Sequence, residues 1–234
     1  MNFRMSLTRF WCGLLIPAAF LLVSSCKSTT VLLANFNNDH IGSPPAPNQA
    51  TGTVSVTSGG GSVIVTSPND TIKSKKWCGI SHPFNNSDPT ELTGNFTQFG
   101  KGKYGLLASL YIPVTEVVTV QFEASKQSPL PFGPFLHLDF MPEGDVRIDD
   151  GTHRFGQFPR NQNFVLSVNL NITDVAATAE ITLLGANASG NTTVQISQNV
   201  LPLARHFGAV KFWVGFQHRA TFFVDDIIVT RKNQ

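Results

Sequence analysis

Short segments in which apolar and polar residues alternate run along most of the chain. From Phe164 to Ile172 every second residue is apolar, and Ser167, Asn169 and Asn171 lie between them. A period of two over this length is typical of a strand with one buried face. Comparable segments, separated by Gly, Pro, Asn and Asp, predict strands at 31–36, 52–57, 62–66, 105–112, 117–124, 135–140, 145–149, 153–158, 164–172, 179–184, 192–198, 210–218 and 221–230.

The connections between these segments predict an all-β fold. The Pro-rich segment 42–50 and the weakly patterned segment 67–102 are expected to be long loops. Asp150-Gly151 predicts a tight hairpin turn, and 173–179 has room for one helical turn at most. So many strands in one unit, 31–234, predict a single domain of two packed antiparallel sheets, a β-sandwich of the jelly-roll type.

The first 25 residues have the features of a secretory signal. Arg4 and Arg9 come before an apolar run at 10–23, which is shorter than the ~20 residues that a membrane span needs. The sequence LVSSC at 22–26 resembles the lipobox of bacterial lipoproteins. The resemblance implies that Cys26 is acylated, with palmitate among the acyl chains, and that 26–30 is a short tether. A signal peptide with a chance cysteine is the alternative.

Several acyl chains on one cysteine would hold the protein stably on a membrane. Lys27 follows the cysteine, where an Asp would resemble the inner-membrane retention signal of enterobacterial lipoproteins. The expected location is therefore the bacterial cell envelope, at the outer membrane. The membrane is the first expected partner.

Composition excludes one class of partner and one kind of crosslink. The formal net charge is +2 and no basic run occurs, so a nucleic-acid partner is not expected. Once the signal and Cys26 are set aside, Cys78 is alone and no intramolecular disulfide is available. We expect Cys78 to be a small buried residue rather than a reactive thiol.

Three segments resemble concanavalin A-like and carbohydrate-binding jelly rolls. LANFNND at 33–39 looks like their opening strand, and FFVDDIIV at 222–229 looks like their closing strand. GDVRIDDG at 144–151, with 164–172, is similar to the central meander of laminin-G-like domains. The resemblance implies the fold, whereas this architecture carries lectins, hydrolases, lyases and passive modules alike.

In such carbohydrate-binding modules a structural Ca²⁺ often ties the first strand to the last. The resemblance places its ligands at Asn37, Asp39, Asp225 and Asp226, whose oxygen atoms suit that ion. The alternative is that Asp225-Asp226 marks a β-bulge or an exposed edge.

Alternation also indicates which side chains point away from the core on the middle strands. Phe135 is expected to point outward. If the strands share one sheet, a concave polar surface is formed by Glu123, His137, Asp139, Arg147, Asp149, Trp213 and Gln217. A sugar site needs such a set, an aromatic plane with planar groups that bond hydroxyl pairs. A solvated sheet face would carry similar residues.

No catalytic motif is present. The Glu-x-Asp-x-x-Glu segment of laminarinase-like hydrolases, the Gln-x-His of alginate-lyase-like enzymes and Gly-x-Ser-x-Gly are all missing from the sequence. A cross-strand pair of Glu123 and Asp139 is the remaining candidate for acid–base chemistry. The favoured function is non-catalytic glycan binding at the cell envelope. The alternatives are a structural or assembly lipoprotein that binds another envelope protein, and a glycoside hydrolase or polysaccharide lyase with an unrecognised site.

Overall fold

The computed structural model describes residues 28–68, 76–83, 88–97, 100–113, 116–125, 132–149, 153–215 and 218–232. The predicted signal segment, Cys26, Gln217 and the Asp150-Gly151 turn lie outside these ranges. Within them, no helix is long and apolar enough to cross a membrane. The elements are β1 Ser28–Ala34, β2 Thr53–Thr57, β3 Ser62–Thr66, β4 Trp77–His82, β5 Thr90–Asn95, β6 Gly102–Tyr111, β7 Val118–Ala124, β8 Pro134–Phe140, β9 Val146–Ile148, β10 His153–Phe155, β11 Asn163–Ile172, β12 Ala177–Leu184, β13 Asn191–Gln195, α1 Leu201–Ala204, β14 Phe207–Val214 and β15 Ala220–Lys232.

The strands form two antiparallel sheets that pack face to face. A seven-stranded sheet has the order β10-β9-β8-β7-β14-β5-β2. An eight-stranded sheet has the order β13-β12-β11-β6-β15-β4-β3, and β1 also pairs with β15. Apolar side chains of both inner faces form one continuous core between the sheets. The prediction of an all-β sandwich is confirmed.

The prediction of loops at 67–102 is wrong, because β4 and β5 lie there and each sits between two other strands. The sequences of β4 and β5 do not show the alternation of apolar and polar residues that predicted the other strands. In β5 the inward positions include Thr90 and Gly94, and a Cβ at Gly94 would lie 2.5 Å from the side chain of Leu32. In β4 Gly79 lies under the ring of Phe223, where a Cβ would be 3.1 Å away. At Gly94 and Gly79 close packing leaves room only for glycine, which interrupts the pattern of apolar and polar residues.

The prediction for 173–179 also needs correction. Thr173 closes a turn by donating its Oγ1 to the carbonyl of Ala176 (2.8 Å), and β12 begins at Ala177. The short helix is α1, after β13. The hairpin expected around 150–151 is supported by its flanks, since β9 and β10 pair with Ile148 opposite His153.

An aromatic cluster closes one end of the core. The ring of Phe207 lies 5.0 Å from Phe96, 5.2 Å from Tyr104, 5.4 Å from Phe135 and 5.9 Å from Phe122, between ring centroids. Most of these contacts are edge-to-face, the favoured geometry for aromatic pairs. The prediction that Phe135 points outward is wrong: β8 bulges opposite the Phe122–Glu123 step, and the bulge turns this ring inward.

Cys78 is a buried free cysteine, as expected. Burial raises the pKa of its thiol, and the charges of Asp39 and Asp225 raise it further. Since the thiolate is the nucleophilic form, the folded protein should not react at Cys78.

We predict that Phe207→Ala lowers the free energy of unfolding by about 3–5 kcal/mol, because it opens a cavity among four aromatic rings. Leu184→Ala, at a side chain that is 47% exposed, is the control and should cost less than ~0.5 kcal/mol. Urea unfolding followed by circular dichroism measures both. A loss below ~1 kcal/mol for Phe207→Ala would show that the cluster does not stabilise the core.

Candidate functional site

The candidate site lies on the outer face of the seven-stranded sheet, the side turned away from the core. Cross-strand pairing aligns one row of outward residues across four strands. Trp213 of β14 lies opposite Thr119 of β7, Thr119 lies opposite Asp139 of β8, and Asp139 lies opposite Arg147 of β9. The row spans three strand spacings, ~14 Å.

A second row runs parallel to the first. Lys211 of β14 lies opposite Gln121 of β7, and Gln121 lies opposite His137 of β8. Asp149, just after β9, accepts a bond at Oδ1 from the backbone N–H of His137 (3.2 Å). Glu123 points outward one step further along β7. The structure therefore brings six of the seven proposed ligand-binding residues to one face, while Gln217 lies outside the described residues.

Three charged side chains form the centre of this face, and we call Glu91, Lys211 and Glu123 the charged cluster. Lys211 Nζ lies 2.8 Å from Glu123 Oε1 and 3.2 Å from Glu91 Oε2. The side chains are only 13%, 15% and 6% exposed for Glu91, Lys211 and Glu123. Thr57 donates its hydroxyl to the other oxygen of Glu91 (3.1 Å).

Gln121 joins the charged cluster to Trp213. In the amide orientation that satisfies both neighbours, its nitrogen donates to Glu123 Oε1 (3.3 Å), and its oxygen accepts from Trp213 Nε1 (3.2 Å). Hydrogen bonds therefore run from Lys211 through Glu123 and Gln121 to the indole. The indole ring is held in one orientation before any ligand arrives.

Electrostatics keep Lys211 protonated. Burial lowers the pKa of Lys211, but the hydrogen bonds and charges of Glu123 and Glu91 outweigh burial and leave the pKa above its ordinary value. The cation is therefore fixed between two acceptors that retain further lone pairs. Such a cluster presents hydrogen-bond donors and acceptors side by side, as hydroxyl groups require.

A cavity of about 490 Å³ opens over the charged cluster. Its polar residues are Glu91, Gln121, Glu123 and Lys211. Apolar surface comes from Trp213 and from a rim of Pro89, Phe132, Gly133 and Pro134. Phe132 is 70% exposed, which is unusual for a side chain of this size. Apolar walls with a few fixed polar groups are typical of small-molecule sites.

A second cavity, of about 680 Å³, shares Pro134 with the first. His137, Asp149 and His153 line it, together with residues of β13 such as Gln195. His153 is bonded through Nε2 to the hydroxyl of Thr192 (3.0 Å). Together the two cavities extend across the outer face towards the edge of the sandwich.

Glu123 and Asp139 are not a close carboxylate pair. Asp139 lies opposite Thr119, four residues from Glu123 along β7, a distance of ~13 Å. Thr119 donates its hydroxyl to Asp139 Oδ1 (2.6 Å). The carboxylate nearest to Glu123 by its contacts is Glu91, which the sequence did not suggest because β5 was expected to be loop. The sequence pattern could have indicated Lys211 as a site residue, because it lies two residues before Trp213 in β14 and therefore on the same face.

Arg147 is half-buried at the far end of the first row. Its guanidinium nitrogens lie 3.9 Å from Asp145 Oδ2 and 4.0 Å from Glu143 Oε2. Arg154, directly opposite on β10, approaches the same Asp145 oxygen at 3.8 Å. These distances are at the limit of an ion pair, and the Nε of Arg147 is buried without a hydrogen-bond partner.

Two of the residues expected to bind calcium, Asn37 and Asp39, already have hydrogen-bond partners within the protein. Asp39 Oδ2 accepts from the backbone N–H of Ala46 (3.1 Å) and from Gln49 Nε2 (3.5 Å). Lys76 Nζ donates to the carbonyl oxygens of Asn37 (3.0 Å) and Asp39 (2.8 Å). An ammonium group thus supplies the positive charge at this turn.

Asp225 and Asp226 lie in a bulge of β15, the alternative that the sequence left open. The register with β6 shifts between Asp225 and Ile228, and Asp226 has φ of 48°. In the described part of the chain, no three His, Cys, Asp or Glu side chains are grouped closely enough to hold a metal. The calcium site stays a prediction.

No protein-family model and no curated protein sequence matches the chain. Solved structures match it at low identity. An endo-1,3-β-glucanase from Streptomyces sioyaensis has 12% identity and a TM-score of 0.54, covering 88% of this chain and 97% of that chain. Lectin II from Ulex europaeus has 8% identity and a TM-score of 0.52, covering 89% and 99%. The CBM2 module of the evolved Dit of Lactobacillus casei BL23 phage J-1 has 13% identity and a TM-score of 0.51, covering 89% and 97%.

These similarities concern the fold. They confirm the expected two-sheet β-sandwich of the concanavalin A-like type across nearly the whole described chain. At such identities the function of the neighbours does not transfer with the fold.

We predict that Lys211→Met lowers the free energy of unfolding by about 2 kcal/mol at neutral pH, because Glu123 and Glu91 lose their shared cation in a largely buried place. Chemical unfolding at several pH values measures this, and Lys103→Met, at an exposed lysine, is the control. The raised pKa of Lys211 stabilises the fold below the ordinary lysine value of ~10.4.

That stabilisation is lost as pH rises through the raised value in the folded protein. The difference between the parent chain and Lys211→Met should therefore be steady around neutral pH and should shrink above pH ~10.5. Equal stability of the two proteins at neutral pH would contradict this account of the charged cluster.

Proposed function

We propose that the chain is a lipid-anchored protein of the bacterial outer membrane whose β-sandwich binds a glycan without cleaving it. The observation that carries the glycan part is the cavity at Trp213, where a fixed indole stands beside the charged cluster. A sugar ring has an apolar C–H face and polar edges, and this cavity offers a partner for each.

In the proposed complex Trp213 stacks on the C–H face of one sugar. Glu123, Lys211 and Gln121 bond its hydroxyl groups, since their side chains line the same cavity. The indole and the amide are already bonded to each other, so little side-chain freedom is lost on binding. His137, Asp139, Arg147 and Asp149 would contact further sugars along the two rows, with Gln217 as an additional predicted ligand.

The structural neighbours support this proposal. One is named as lectin UEA-II complexed with galactose, with a TM-score of 0.51. Another is a CBM2 module, and a third is a glucanase. Proteins with this fold thus include binders and an enzyme, and the chemistry of the site has to decide between them.

One observation favours a hydrolase as the second candidate. The contacting oxygens of Glu91 and Glu123 share Lys211 Nζ and so lie at most about 6 Å apart, while retaining glycosidases hold their carboxylates ~5–5.5 Å apart. Such an enzyme needs one carboxyl that keeps its proton. Here Lys211 Nζ contacts both carboxylates, at 2.8 Å from Glu123 and 3.2 Å from Glu91, so we place binding before cleavage.

The membrane part of the proposal rests on the resemblance of LVSSC at 22–26 to a lipobox. We predict that Cys26→Ala abolishes incorporation of radiolabelled palmitate and moves the protein out of the detergent-soluble membrane fraction. The buried Cys78→Ala is the matched control and should keep the label. Palmitate incorporation that survives Cys26→Ala would rule out the anchor as proposed.

We predict that Trp213→Ala weakens the binding of any glycan that the parent chain recognises on an array by at least ~30-fold, because the stacking plane is lost. Phe223→Ala is the matched control, since that half-buried ring lies on the other sheet. Isothermal titration of each hit gives the affinities. Undiminished binding by Trp213→Ala would show that the glycan binds elsewhere.

Running the array with added CaCl₂ and with EDTA tests the calcium prediction in the same experiment. A thermal melt under both conditions completes it. A bound structural ion would raise the melting temperature as its concentration rises. Cleavage products in the array supernatant would instead favour the hydrolase.

A further inference from the structure

One end of the sandwich combines the chain's exit towards Cys26 with exposed positive charge. We call it the anchor end and define it by Ser28, Lys103, Val175, Arg205 and Lys232. Ser28, the first residue of β1, lies opposite Lys232 of β15, and Lys232 lies opposite Lys103 of β6. Both lysines are exposed. Cys26 is two residues before Ser28, a reach of at most ~7 Å.

Further cations surround the two lysines. Lys101 pairs with Asp174 (2.8 Å), and Arg205 donates to the backbone carbonyl of Asp174. Arg231 Nη2 donates to the carbonyl of Lys101 (3.3 Å). Only one of these contacts, Lys101 with Asp174, is between opposite charges, so the anchor end keeps a positive surplus in the part that the structure describes.

An exposed apolar residue lies next to two of these cations, since it follows Asp174, which Lys101 and Arg205 contact. Val175 is 77% exposed in the turn between β11 and β12. The turn is held in shape by Thr173 and by Gln198, whose amide donates to the carbonyl of Val175 (3.1 Å). An exposed apolar side chain next to Lys and Arg side chains suits a surface that lies in the headgroup layer of a bilayer.

We propose that the anchor end binds the anionic headgroups of a phospholipid bilayer, with Val175 in contact with the headgroup layer. The inference rests on the proposed lipid anchor, which would hold these cations within about a Debye length, ~8–10 Å, of the surface. Each lysine near an anionic surface strengthens binding roughly fivefold. The cavity at Trp213 lies on the outer face of the other sheet, so it stays open to a glycan.

The first test places a fluorophore at position 175. Full-length chains carrying Val175→Cys or, at the opposite end, Leu184→Cys are labelled with a polarity-sensitive dye and mixed with vesicles. Cys78 is buried and inert, and the unsubstituted chain, treated alike, reports labelling at the other native cysteines. The vesicles contain phosphatidylcholine alone or with roughly a third phosphatidylglycerol.

We expect the emission from position 175 to shift to the blue with phosphatidylglycerol and to return in high salt, while position 184 stays unchanged. In chains that also carry Cys26→Ala, so that no acyl chain holds them on the vesicle, the double substitution Lys103→Glu with Lys232→Glu should lower the affinity for the anionic vesicles at least ~25-fold. Arg154→Glu with Arg219→Glu, the same charge change at exposed positions away from the anchor end, should leave it within ~2-fold.

Equal behaviour of the two labels, or no dependence on phosphatidylglycerol, would overturn the inference. An equal loss of affinity in the two double charge reversals would also overturn it. Such a result would show that binding depends on the net charge of the protein and not on the anchor end. Glycan binding is measured without vesicles, so failure there leaves this result intact. A chain without an acylated Cys26 would bind only the anionic vesicles, which separates loss of the anchor from loss of the headgroup contact.

Discussion

The contact of Lys211 with two carboxylates is the interaction on which the site depends. Glu91, Lys211 and Glu123 come from three different strands, β5, β14 and β7, and none of them is more than 15% exposed. Each charge would be costly there without the others. Because the ammonium is shared, the register of the three strands, the position of Gln121 and the orientation of Trp213 are fixed together. A ligand at such a site would bind with little reorganisation of the protein.

Two bulges decide what this part of the sheet presents outward. Register shifts occur between Phe207 and Ala209 in β14 and opposite the Phe122–Glu123 step in β8. They turn Phe207 and Phe135 into the core, where both join the aromatic cluster. Glu123 stays outward at the same level of the sheet. The aromatic cluster and the polar site therefore lie on opposite faces of the same part of the sheet. A change of strand register by one residue would turn the core side chains outward and the site side chains inward.

The sequence was informative wherever apolar and polar residues alternate. Strands such as β11 and β3, and the shared face of Trp213, Asp139 and Arg147, followed from a period of two together with the sandwich fold. Where small residues fill inward positions, as Gly94 does in β5, the period is invisible although the strand is central. Because β5 was not predicted as a strand, Glu91 was not predicted as a site residue either. Phe135 was misplaced because a bulge is set by the partner strand, which alternation along one segment does not report.

The central claim is that the outer face at Trp213 receives a sugar, and indole NMR tests it most directly. The indole N–H signals of the β-sandwich report separately on Trp213 and on the buried Trp77. On titration with a glycan that the chain binds, the account predicts that the Trp213 signal shifts in proportion to saturation, while that of Trp77 stays in place. A saturating glycan that leaves the Trp213 signal unmoved would contradict it.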